Sequence, residues 1–117
     1  MTSSHLLLRR AAVFLERAAK QNHAAIWERA SEMLGSETAN RVEVNLGLLS
    51  RVAKEGGALF VPGKVLGSGP LDKKLVVGAF AFSASARREI AVHGGSAMSV
   101  EQFLKKYPKG SAVKLVG

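Results

Sequence analysis

Cysteine is absent from the 117-residue chain. That excludes a disulfide framework, a thiolate nucleophile and a cysteine-based zinc site. Aspartate occurs once, as Asp72, so acid–base chemistry of the aspartate kind has little to work with. Aromatic residues make up only 6%, with one Trp, one Tyr and five Phe. A platform that stacks single-stranded bases on several rings is disfavoured by that scarcity. No apolar run approaches the ~18 residues that cross a bilayer. In Met1–Arg10 the arginines follow the leucines, the reverse of a secretory signal, so the cytoplasm is the expected compartment. His5, His23 and His93 lack metal-ligand spacing of the His-Glu-x-x-His kind, and no Gly-x-Ser-x-Gly elbow occurs. Neither an enzyme activity nor a cofactor or metal is expected.

What the chain does have is positive charge. Seventeen Lys and Arg stand against nine Asp and Glu, a net +8, with a pI of about 10.3. A small domain this basic meets a polyanion, and nucleic acid leads the candidates. The excess is uneven. Residues 1–58 hold eight bases and six acids, whereas residues 59–117 hold nine bases and three acids, a net +6. Hydrophobic residues, at 47%, suffice for a folded core, and the length fits one domain spanning 1–117.

Periodicity divides that domain into a mainly helical part, 1–57, and a strand-rich part, 58–117. Residues 6–20 carry Leu7, Leu8, Ala11, Ala12, Phe14, Leu15, Ala18 and Ala19 on one helical face. Arg9, Arg10, Glu16, Arg17 and Lys20 lie opposite. Asn22 is read as the N-cap of a second helix over 24–34, with Trp27 as a core anchor and Gly35 as its stop. A polar loop over 35–41 ends on Arg41. Asn45 is read as the cap of a third helix running to Lys54. Ala58–Val61 is a strand closed by Pro62, and Leu75–Phe82 is a second, with Phe80 and Phe82 alternating toward the core. A helix over Ser83–Ala91 and a short strand at Ala97-Met98 follow. Ser99 and Gln102 have capping-box spacing for a helix over 100–106, and Ala112–Val116 is a last strand.

Gly63-Lys64-Val65-Leu66-Gly67-Ser68-Gly69-Pro70 is the sharpest local feature. It closes with no Gly-Lys-Ser/Thr, so it is not a Walker A loop, and it lacks the third glycine of a dinucleotide fingerprint. Two readings stay open: a tight connection between strands, or a loop whose backbone N–H groups meet phosphate, with Lys64 adding a charge. Lys73-Lys74 and Arg87-Arg88 flank the second strand, and Lys105, Lys106 and Lys109 form a third basic cluster. Such clusters suit phosphate contacts, which set affinity and orientation. The partner indicated is folded RNA, or less favourably DNA. Replacing Lys73 and Lys74 together with alanine is expected to remove about two charges' worth of salt dependence.

Phe60-Val61-Pro62-Gly63-Lys64-Val65-Leu66-Gly67-Ser68-Gly69, Leu71-Asp72-Lys73-Lys74 and Phe82-Ser83-Ala84-Ser85-Ala86 closely resemble the archaeal and eukaryotic L-eighteen-e family of large-subunit ribosomal proteins. That family is related to the bacterial L-fifteen family. Trp27, Val44-Asn45 and the Gly94–Gln102 segment extend the likeness over nearly the whole chain, and its shortness resembles the archaeal members. The resemblance implies an α/β fold with N-terminal helices followed by an irregular strand-strand-helix superhelix. It implies a structural, non-catalytic role in the large subunit, with ribosomal RNA and neighbouring ribosomal proteins as partners, and neither a membrane nor a small-molecule substrate. Lys64, Gly67, Ser68, Lys73, Lys74, Arg87 and Arg88 fall where the family touches RNA. Arg41 and Asn45 extend that surface, and the basic residues Arg9, Arg10, Lys105 and Lys106 are further candidates. A free RNA-binding module of regulatory or chaperone type is the alternative reading. A small enzyme holding a phosphorylated substrate at the glycine loop is the least favoured.

Overall fold

A computed structural model describes residues 2–35 and 42–117, with side chains from Leu6 onward. The elements in chain order are α1 (Thr2–Asn22), α2 (Ala25–Gly35), β1 (Glu43–Asn45), α3 (Leu46–Val52), β2 (Ala58–Leu66), β3 (Val76–Phe82), α4 (Ala84–Val92), β4 (Ser96–Met98), α5 (Val100–Lys106) and β5 (Val113–Leu115).

The class is α/β, with the N-terminal helices preceding most of the sheet, as expected. Every strand pair is parallel, in the order β1-β2-β3-β4 with β5 also on β2. β3 pairs with β2 along almost its whole length. The other edge of β2 is shared: β5 pairs with residues 58–60 and β1 with residues 64–66. Pro62 falls in the gap between them. The strand was expected to close there, but it runs on to Leu66. Pro62 and Gly63 form a bulge, because Val61 pairs with Ala79 while Lys64 pairs with Ala81. A proline lacks a ladder donor, and a bulge is where a strand tolerates that lack.

Helices cover both faces of the sheet, the arrangement that buries a parallel sheet. Alternate strand residues feed two cores. Leu59, Val61, Val65, Val77 and Ala79 pack with Leu46 and Leu49 of α3 and Ala86 and Ile90 of α4. Phe60 packs on the other face with Ala11, Leu15 and Ala18 of α1, Trp27 of α2 and Phe103 of α5. Trp27 is the core anchor expected of it. It is fully buried, sits edge-on to Phe60 and Phe103 at 5.4 and 6.0 Å, and donates its indole N–H to the Pro108 carbonyl at 2.8 Å. Phe103 occupies the space above Gly78 that a Cβ would fill, which accounts for a glycine inside β3. Phe80 and Phe82 do not share a face: each is half-buried, the first against the Trp27 core and the second against the α3–α4 core.

Two helix ends differ from expectation. Asn22 belongs to α1, with its side-chain amide donating back to the Ala18 carbonyl at 2.9 Å. His23, at φ 51°, reverses the chain directly afterwards, so Asn22 does not cap α2. α3 stops at Val52, where Ala53 turns extended and donates to the Leu49 carbonyl. The caps at Asn45 and Ser99 form as expected, the latter as a full capping box with Gln102. Arg41 and most of the polar loop around it lie outside the described residues.

Candidate nucleic-acid interface

Parallel strands bring like ends together. The C-terminal ends of β1, β2 and β3 form one edge, with Asn45 opposite Leu66 and Val65 opposite Phe82. α3 starts from this edge after β1 and α4 starts from it after β3. The segment that leaves β2 passes between the two starts. In open α/β sheets this edge is where ligands are met.

The glycines here have an internal reason. A Cβ on Gly67 would lie 2.1 Å from Ser85 Oγ and 2.8 Å from the Ala86 nitrogen, at the start of α4. Gly69, at φ +83°, puts its hydrogen against α3: a Cβ there would lie 2.7 Å from Gly47 Cα. The Gly47 N–H also donates to the Ser68 carbonyl at 3.2 Å. Of the two readings of the glycine loop, this geometry supplies the tight connection. Ser68 itself faces solvent.

Beyond Pro70 the segment runs along α3 toward its C-terminal end. Leu71 and Leu75 are buried in the α3–α4 core. Ser50, the one buried polar residue among those described, donates to the Asp72 carboxylate at 2.7 Å. That hydrogen bond holds the Asp72 carboxyl below its usual range; partial desolvation opposes it, and the Lys73 charge assists it. Lys73 Nζ donates to the carbonyls of Ser50 at 2.5 Å and Ala53 at 2.7 Å. Lys74 is tied only through its backbone: its N–H donates to Glu55 Oε2 at 3.2 Å, and its carbonyl accepts from Gly56 at 2.7 Å. Its side chain is exposed.

The candidate residues are therefore distributed over two edges. Asn45, Gly67, Ser68 and Arg87 gather at the C-terminal edge of the sheet, with Lys64 exposed two residues before β2 ends. The Asn45 carboxamide oxygen is engaged in its cap, accepting from Leu48 at 3.2 Å. The Arg87 guanidinium stands over the Phe82 ring, 5.2 Å from its centroid, and Arg88 follows it, exposed, on α4. Lys73 and Lys74 lie at the opposite edge, where β3 begins. The seven residues of β3, roughly 20 Å long, separate the segment that carries Lys74 from the start of α4. Arg9 and Arg10 are exposed on α1, with Arg10 5.6 Å from the Phe14 ring centroid. Lys105 and Lys106 are exposed in the last turn of α5.

Few of these charges are neutralised internally. Among the described residues the one ion pair is Lys20–Glu16 at 3.9 Å, between exposed neighbours on α1. Lys64, Lys74, Arg87, Arg88, Lys105 and Lys106 carry none. Arg51 and Lys54 are exposed and unpaired as well, a contribution from α3 that clustering along the chain did not reveal. Among the described residues no group of His, Asp and Glu could hold a metal ion. Ser50 also escaped the sequence reading, since its partners lie 22 and 23 positions away.

Known proteins share this chain's pattern. A family profile that describes the ribosomal proteins 50S-L15, 50S-L18e and 60S L-twenty-seven-A matches residues 22–98. The chain is 43% identical over 109 residues to the large ribosomal subunit protein eL18 of Pyrobaculum aerophilum, covering 93% of this chain and 89% of that protein. It is 40% identical over 104 residues to the protein of the same name in Methanoregula boonei, covering 89% and 86%. It is also 40% identical over 96 residues to that of Methanococcus maripaludis, covering 82% and 80%.

Proposed function

The chain belongs to the family of ribosomal proteins 50S-L15, 50S-L18e and 60S L-twenty-seven-A, and from that premise we propose that it is a structural component of the large ribosomal subunit that binds and stabilises folded ribosomal RNA. The family is one of ribosomal structural proteins and not of enzymes. Its partners on this reading are large-subunit RNA and neighbouring ribosomal proteins, and its place is the cytoplasm. No helix among the described residues is long and apolar enough to cross a membrane.

The observation that carries the reading is the set of exposed cations without internal counter-ions. Lys64 and Arg87 near one edge of the sheet and Lys74 at the other supply phosphate contacts, with Arg88 beside Arg87. Ser68 presents a hydroxyl at the C-terminal edge. Arg9, Arg10, Lys105 and Lys106 extend the charged surface over α1 and α5. Neutralising phosphates releases condensed counter-ions, so affinity falls steeply with salt. A surface of separated single charges on a rigid sheet reads the shape of a folded RNA backbone rather than base edges.

The test is binding to the source organism's large-subunit RNA across a salt series. The wild-type slope of log affinity against log salt is expected to be steep, and Lys64→Ala, Lys74→Ala and Arg87→Ala each lower it by about 0.7–0.9. Co-sedimentation with large subunits in high salt accompanies it. A protein that washes off and binds many RNAs equally is a free RNA-binding module, and a protein whose affinity ignores salt is no RNA-backbone binder.

A further inference from the structure

The Gly67–Leu75 segment has no regular secondary structure, yet it is fastened to both ends of α3. Gly47 holds Ser68 at the N-terminal end. At the C-terminal end, Ser50 bonds Asp72, and Lys73 reaches the Ser50 and Ala53 carbonyls. A helix leaves its last carbonyls without intrahelical donors and carries partial negative charge there. The Lys73 ammonium answers both needs. Turning it outward to a phosphate would strand two carbonyls and strip Asp72 of a favourable neighbouring charge.

We propose that Ser50, Asp72 and Lys73 form a clasp that fixes this segment along α3, and that Lys73 is a positioning residue for RNA binding and not a phosphate contact. The inference rests on the RNA-binding reading above. The clasp holds the neighbouring Lys74 in place before RNA arrives. Without it the segment must be ordered during binding, and that entropy is subtracted from the affinity. Lys73 and Lys74 are neighbours of one charge and one residue type with different tasks. Lys73 acts on the segment, whereas Lys74 acts on the RNA.

The experiment compares Lys73→Met, which keeps the aliphatic stem, with Lys74→Met. Both are bound to the source organism's large-subunit RNA across a salt series, at a temperature where circular dichroism shows each variant folded. Lys73→Met is expected to weaken binding about fivefold to tenfold at unchanged salt slope, because preorganisation is lost and no phosphate contact is. Lys74→Met lowers the slope by about 0.7–0.9. Lys73→Arg restores most of the affinity. Two results overturn the proposal: a slope lowered as much by Lys73→Met as by Lys74→Met, or an affinity that Lys73→Met leaves untouched. Hydrogen exchange on the free protein separates this from the RNA reading. Lys73→Met, or Ser50→Ala should the former not fold, is expected to expose the Gly56 amide, which bonds the Lys74 carbonyl. Unchanged protection there overturns the clasp whatever the RNA does, while a wild-type affinity indifferent to salt overturns only the RNA reading.

Discussion

Replacing Gly69 with alanine separates a glycine required by packing from one required by RNA. Its φ of +83° lies in the left-handed region, where an alanine costs about 1 kcal/mol or somewhat more. The new Cβ would also lie 2.7 Å from Gly47 Cα and 2.9 Å from the Gly47 nitrogen. Both are backbone atoms, so no side chain can swing aside, and either α3 or the segment must move. Overpacking of this kind costs about 1–3 kcal/mol. Together the two effects come to about 2–4 kcal/mol, a large share of a typical domain's stability of about 5–15 kcal/mol. At this chain length the loss lowers Tm by roughly 10 °C. Urea unfolding followed by circular dichroism measures it. Gly47→Ala is the internal control: its Cβ would lie 3.2 Å from Gly69 Cα and has no left-handed backbone to strain. Alanine's better helix propensity offsets much of that contact, so the change stays under about 1 kcal/mol. A Gly69→Ala protein that keeps wild-type stability and loses only RNA affinity would refute the packing argument.

Other perturbations read other parts of the structure. Trp27→Phe removes the indole bond to Pro108 and leaves a void in the aromatic cluster, at a cost of about 2 kcal/mol in urea unfolding; a loss under about 0.5 kcal/mol contradicts the anchor. Ser99→Ala breaks the capping box of α5 and costs about 1 kcal/mol, with Ser99→Asn recovering most of it. Asp72 has its folded-state carboxyl lowered chiefly by the Ser50 hydrogen bond. Such a group contributes stability above its unfolded value of about 4, and that contribution disappears as pH falls through the lower folded-state value. Wild-type stability is therefore expected to drop more between about pH 5 and pH 2 than that of Asp72→Asn, and superimposable profiles contradict it.

Local signals carried the sequence reading where local physics decides. The Asn45 cap and the Ser99–Gln102 box need only a side chain and an amide three residues on, and both form. Trp27 was legible as core because its apolar stripe repeats at helical period. Asn22 misled because its position before a new helix looks the same as its position at the end of an old one, and the left-handed His23 decides between them. Pro62 misled because a proline closes a strand unless a bulge and a gap between two edge strands accommodate it, and that gap exists only once β1 and β5 have both paired with β2. At the site, the positive charge and the glycine segment were visible. That Lys73 turns inward while Lys74 turns out was not, since the carbonyls that hold Lys73 lie 20 and 23 residues earlier.

On the proposed reading, the exposed, unpaired cations of the sheet's two edges meet ribosomal RNA. Crosslinking within purified large subunits, with the crosslinked residues identified, tests it most directly. RNA adducts are predicted at Lys64, Ser68, Lys74 and Arg87, and none at Lys73. Adducts confined to α1, with the sheet edges free of RNA, would contradict the account.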